Sequence, residues 1–200
     1  MVTAGARVGC RCGHPAHAGA ARHRSDAVGS EGCHARSPSG AASCPYVFDQ
    51  WDDLLLSGAF APREVLLRGL TFEQVGARPA GAPHSIYQEL WHVTRVLEMS
   101  LAHGRVALES WPHAEHFPAS PAPAGEAEWD GLVAAFLAAS RRAVELSHEP
   151  GWLDAFEPGY AELGLRWRDG LGFLAVHTAY HLGRVVLLRQ LLGTWPPPRS

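Results

Sequence analysis

The chain has 200 residues, 46% of them hydrophobic, and a formal net charge of −3 at pH 7. That length suits one domain with room for a tail, and the apolar fraction suffices for a sizeable core. The acidic balance argues against a nucleic-acid partner and against attraction to acidic membrane surfaces.

Residues 1–45 hold all four cysteines, four of the twelve histidines and almost no large apolar side chain. Such a segment cannot offset the entropy of ordering itself, so a disordered N-terminal extension is the expectation. Its five Arg against Asp26 and Glu31 give +3, which leaves −6 for the rest of the chain. A zinc module from Cys10, Cys12, His14, His17, Cys33, His34 and Cys44 is the alternative, and the spacing fails it. Structural zinc sites pair their ligands across short loops, whereas Cys33 and Cys44 have no near cysteine. A start at Val28 or Val47 would remove most or all of the extension. All seventeen basic residues are Arg, a bias that GC-rich codons explain without any recognition chemistry.

From Tyr46 to Ser200 the texture is that of a folded domain. "VFDQWDDLLLSGAF" predicts a helix ending at Gly58, and Pro62 suits the first position of a helix "PREVLLRGL" that stops at Gly69. Thr71 can cap "TFEQVG". Ser85, with Gln88 three residues on, has the form of a capping box opening a long helix to Val106. A Pro-rich loop "WPHAEHFPASPAPAG" follows, then a third long helix "EAEWDGLVAAFLAASRRAVELS". An irregular stretch leads to a last helix from about Arg168 to Leu192, closed by Gly193 before "WPPP". No convincing β-alternation appears, so the fold class is all-α. No apolar run is expected to approach the roughly 18 residues of a membrane span, and no secretory signal is evident. A soluble, cytoplasmic protein without a membrane partner follows.

Within the last helix, His177 and His181 fall four apart, about 40° from each other at 3.6 residues per turn. Phe173, Leu174, Tyr180, Leu188 and Leu191 share their face, while Leu182, Gly183 and Arg189 point elsewhere. Two imidazoles and Arg184 toward an apolar interior are costly unless something binds them. A divalent metal would do so, because i, i+4 side chains converge on one point; two satisfied core histidines are the alternative. A further protein ligand is then required. His113 and His116 sit in the Pro-rich loop, where solvent is expected to reach them; His148 can answer its helix dipole, and His84 precedes a cap. His92 lies mid-helix at a suitable depth but on a mixed face, over 100° from the stripe of Ile86, Leu90, Val93, Leu97 and Leu101. Helical geometry leaves it either a ligand or a histidine in a polar pocket.

Three stretches, "PHSIYQELWHVTRV", "WPHAEHFP" and "HTAYHLGRVVLLRQLLGTWPPP", resemble the DinB-like (YfiT-type) metal-binding superfamily over roughly residues 47–198. The resemblance implies an up-down-down-up four-helix bundle. It also implies a divalent metal, often zinc or nickel, held by His92, His177 and His181. Activities in that superfamily imply a thiol S-transferase or isomerase using a low-molecular-weight thiol such as bacillithiol, mycothiol or glutathione, acting on a small-molecule substrate in detoxification.

Three neutral nitrogens leave open coordination positions, the arrangement of catalytic rather than structural zinc. Thr178 stands where the general base of an HExxH motif would be, so a peptidase of that kind lacks its proton carrier. Glu89, one turn before His92, is a candidate to orient a ligand or shuttle protons, and Arg184 a candidate to hold a substrate carboxylate. For both, an inter-helix ion pair is the competing reading. A hydrolase using a metal-bound hydroxide and a non-catalytic metal-binding stress protein are the alternatives to the transferase. The closing "GTWPPPRS" either docks on a second copy in a homodimer or ends the last helix.

Overall fold

Asp49 caps the first described helix, its carboxylate accepting from the amides of Trp51 and Asp52 at 3.0 and 3.2 Å. The computed structural model describes residues 49–58 and 61–197. The expected N-terminal extension and its Cys/His set lie outside those residues. Helix α1 (Gln50–Asp52) widens into a π turn, Asp53–Ser57, which Gly58 stops at φ +64°. Short helices α2 (Arg63–Leu67) and α3 (Phe72–Gly76) follow. Pro62 caps α2 rather than sitting inside it. Thr71 and Gln74 close a capping box on α3.

Helix α4 (Ile86–His103) begins with the expected box, in which Ser85 and Gln88 satisfy each other's backbone amides. It ends three residues sooner than expected, at Gly104 with φ +78°, and Val106–Glu109 forms a separate helix α5. Helices α6 (Glu126–His148) and α7 (Trp167–Leu191) complete the set. Among the described residues there is no strand, only an isolated antiparallel bridge between Phe156 and Arg166. The described chain is all-α.

Helix α4 is the central element, packed against both α6 and α7. Leu90, Val93 and Leu97 join Phe136 of α6 and Leu171 and Leu174 of α7 in one core. Coverage from two sides buries the polar face of α4 as well, including Glu89, His92 and Thr94. Tyr87 ties α4 to α6 by donating to Glu128 at 2.5 Å.

The face of α7 that turns inward differs from the expected one. Leu182 and Arg189 are buried, whereas Phe173, Tyr180 and Leu191 are exposed. Apolar residues surround this helix, so their positions alone do not fix its rotation; Arg189 does. Its guanidinium is fully buried and donates to the carbonyls of Leu66 at 2.6 Å and Arg68 at 3.0 Å, at the end of α2, and to Thr194 at 3.0 Å. One cation thus answers orphan carbonyls at the ends of two helices. Trp195 folds back beneath it, with the guanidinium carbon 5.9 Å from the ring centre. By length and composition α7 does meet the requirement for a membrane span, contrary to expectation. A core helix passes the same test, and the buried Arg189 of α7 has its partners within the fold.

The irregular stretch between α6 and α7 is pinned by Glu157, which is fully buried. Arg105 donates to it from its backbone amide at 2.8 Å and from its guanidinium at 2.7–3.0 Å. Gly170 lets α7 pass, since a Cβ there would stand 2.8 Å from Glu157 Oε2.

Candidate metal centre

Helices α4 and α7 bring three imidazoles together. One ligand nitrogen from each of His92, His177 and His181 lies within 4.8 Å of the other two. His92 Nε2 and His177 Nε2 are 3.3 Å apart. Two nitrogens bound about 2.0–2.1 Å from one tetrahedral ion stand about 3.3–3.4 Å apart, so this pair already spans such an edge. The same distance is long for a hydrogen bond between two rings. This is a three-histidine group that could hold a metal ion.

Two of the rings have their tautomers set by what lies behind them. His92 Nδ1 donates to the His116 carbonyl at 2.9 Å, which leaves Nε2 with its lone pair toward the group. His181 Nδ1 donates to Glu89 Oε2 at 2.6 Å, with the same consequence. His177 differs: its Nδ1 is buried without a hydrogen-bond partner. Burial, opposed by the His116 carbonyl, pushes His92 down to about 4. Burial and then the neighbouring His181 and His92 push His177 down to about 4 as well. Both rings are therefore neutral at pH 7, the form a cation needs.

Glu89 is the fully buried hub behind the group. Besides His181, its carboxylate faces Arg184 Nη2 at 3.0 Å and His84 Nδ1 at 3.3 Å. Glu89 and Arg184 thus form an inter-helix ion pair, with Glu89 also fixing a ring of the cluster. Around His92 stand Trp111, stacked at 5.6 Å and 11°, and Phe117, stacked at 4.6 Å and 20°. His84 stacks on the other face of that wall, 3.6 Å from Phe117. Phe173 lies 5.7 Å from His177, and Tyr180 meets His181 edge-on at 5.0 Å. His92 and His181 are buried, while His177 is only half-buried, so the group opens along α7 between Phe173 and Tyr180.

Several positions differ from expectation. His116, expected in solvent, is half-buried, and its carbonyl fixes His92. His84, expected only to precede a cap, reaches Glu89. His148 bonds to Asp49 at 2.8 Å, away from the cluster, and His113 is exposed. Sequence reasoning missed the aromatic wall; the clue was the stretch from Trp111 to Phe117, whose two aromatics flank His92. Compared with family models, curated proteins and solved structures, the chain finds no match.

Proposed function

We propose that the chain belongs to the DinB-like superfamily and is a divalent-metal-dependent thiol S-transferase, or a related detoxification enzyme, acting in the cytoplasm on a small-molecule substrate. One observation carries the reading: three imidazoles from two helices converge within 4.8 Å, two of them aimed by hydrogen bonds from behind. In this reading α1 with its π turn, α4, α6 and α7 are the four helices of an up-down-down-up bundle.

His92, His177 and His181 would hold zinc or nickel, which supplies Lewis acidity that keeps a bound low-molecular-weight thiol as its thiolate. The remaining tasks fall to the chain. The His116 carbonyl and Glu89 hold two rings in the ligating tautomer. Arg184 pairs with the buried Glu89 carboxylate beside His181. Trp111 and Phe117 keep water from the back of His92, and Phe173 and Tyr180 pack against His177 and His181. Hydrolysis fits less well, because Glu89 already faces His181, Arg184 and His84 and is not free to serve as a general base.

Elemental analysis of purified protein should give about one metal per chain, lost in His177→Ala. Metal-loaded protein with monochlorobimane and bacillithiol, mycothiol or glutathione should form conjugate above the uncatalysed rate, and His177→Ala should not. A metal-loaded protein inactive with all three thiols leaves the non-catalytic metal-binding reading in place of the transferase.

A further inference from the structure

A small cavity of about 220 Å³ lies beside the histidine group, between residues 80–84 and the C-terminal half of α7. Ala82, Pro83, Leu187 and Leu191 line its apolar part, and His84 and Arg184 line its polar part. Those same two polar residues reach Glu89, which holds His181. The cavity and the three-histidine group therefore share one polar junction.

Two features of the cavity have no explanation within the fold. Leu187 and Leu191 are 53% and 58% exposed, adjacent large apolar side chains on a helix whose other face is core. His84 Nδ1 is buried and lies 3.3 Å from Glu89 Oε1 without hydrogen-bond alignment. Arg184 and His84 keep 27% and 24% of their side-chain surface open. Arg184 pairs with Glu89 yet keeps N–H donors beyond those that meet Glu89 and Tyr180. A ligand carboxylate would take them, and an apolar chain would cover the leucines.

We propose that this cavity is the second-substrate subsite and that it takes a short aliphatic monocarboxylate, with the carboxylate on Arg184 and His84 and the chain along Leu187 and Leu191. The inference rests on the metal-centre reading for its purpose, though not for its binding. At about 220 Å³ the cavity is smaller than the roughly 300–1,000 Å³ of sites for drug-sized ligands, which suits a short chain. Arg184 suits the head group because a guanidinium has five N–H donors, more than its contacts with Glu89 and Tyr180 use.

Calorimetric titration of metal-loaded protein with acetate, butyrate, hexanoate and decanoate tests this. Each buried methylene should tighten binding up to about fourfold, so hexanoate should bind at least tenfold more tightly than acetate, with no gain at decanoate. Leu187→Glu alters an exposed position and should flatten the series while leaving metal stoichiometry unchanged. A series already flat in the parent protein means that the anion sits on the ion itself and overturns the subsite. Absence of binding by any of the acids at full metal occupancy overturns it too, without touching the metal reading. A parent that sediments as a dimer, with a monomeric Leu187→Glu, would give this face to a second copy and also overturn the proposal. Failure to load metal would instead count against the function proposed above, and the same titration on metal-free protein would still test the cavity.

Discussion

Replacing Glu89 by Gln separates a positioning role from a merely structural one. The carboxylate is fully buried, receives the His181 Nδ1 proton at 2.6 Å and faces Arg184 at 3.0 Å. The amide keeps the shape and an acceptor oxygen but removes the charge that faces His181 Nδ1. Loss of such an outer partner typically costs 10–100-fold in metal affinity. At a free metal concentration 1,000 times the parent Kd, metal stabilises the parent by about 4.1 kcal/mol. A hundredfold weaker variant sees only about ten times its own Kd, which corresponds to about 1.4 kcal/mol. The difference of about 2.7 kcal/mol predicts that the metal-induced rise in Tm shrinks by roughly 5–11 °C for a chain of this size. The assay is paired thermal melts with and without metal, backed by chelator competition for Kd. A variant that loses metal-free stability yet keeps the parent metal affinity would refute the argument, because Glu89 would then be only a packing and ion-pair residue.

Acidification should weaken the metal-free fold. His92 and His177 titrate at about 4 in the folded chain, against an ordinary value of about 6.5. The unfolded chain therefore takes up protons first, so the contribution of these two rings is complete above about pH 6.5 and is lost as pH drops toward 4; denaturant melts across that range check it. Arg189→Met should cost about 3 kcal/mol, because one buried and two part-buried carbonyls lose their donor, and chemical denaturation should show it with metal stoichiometry intact. Two glycines of α7 should respond with opposite signs. Gly183→Ala meets open space and should stabilise by about 0.4–1 kcal/mol, whereas Gly170→Ala drives a Cβ to 2.8 Å from the locked Glu157 carboxylate and should destabilise by about 1–3 kcal/mol. Equal effects in paired melts would contradict the close approach of Glu157 to α7.

Several helix boundaries were legible because their signals are local. The box of Ser85 and Gln88, the cap at Thr71, and Gly58 each act within a few residues. The rotation of α7 was not legible, since apolar residues lie on all sides and the deciding contacts, from Arg189 to the end of α2, are more than 120 residues apart in sequence. His92, His177 and His181 were named from spacing and resemblance together; spacing by itself left His92 open, because burial of the polar face of α4 depends on both neighbouring helices. The role of His116 could not be read at all, for it acts through a backbone carbonyl, which every residue carries.

The most direct measurement is X-ray absorption at the metal K-edge of the purified, metal-loaded protein. Three imidazole nitrogens at about 2.0–2.1 Å from the ion, falling to two in His92→Ala, are the predicted result. A first shell of oxygen with one imidazole or none, or a spectrum unchanged by His92→Ala, would contradict the three-histidine centre.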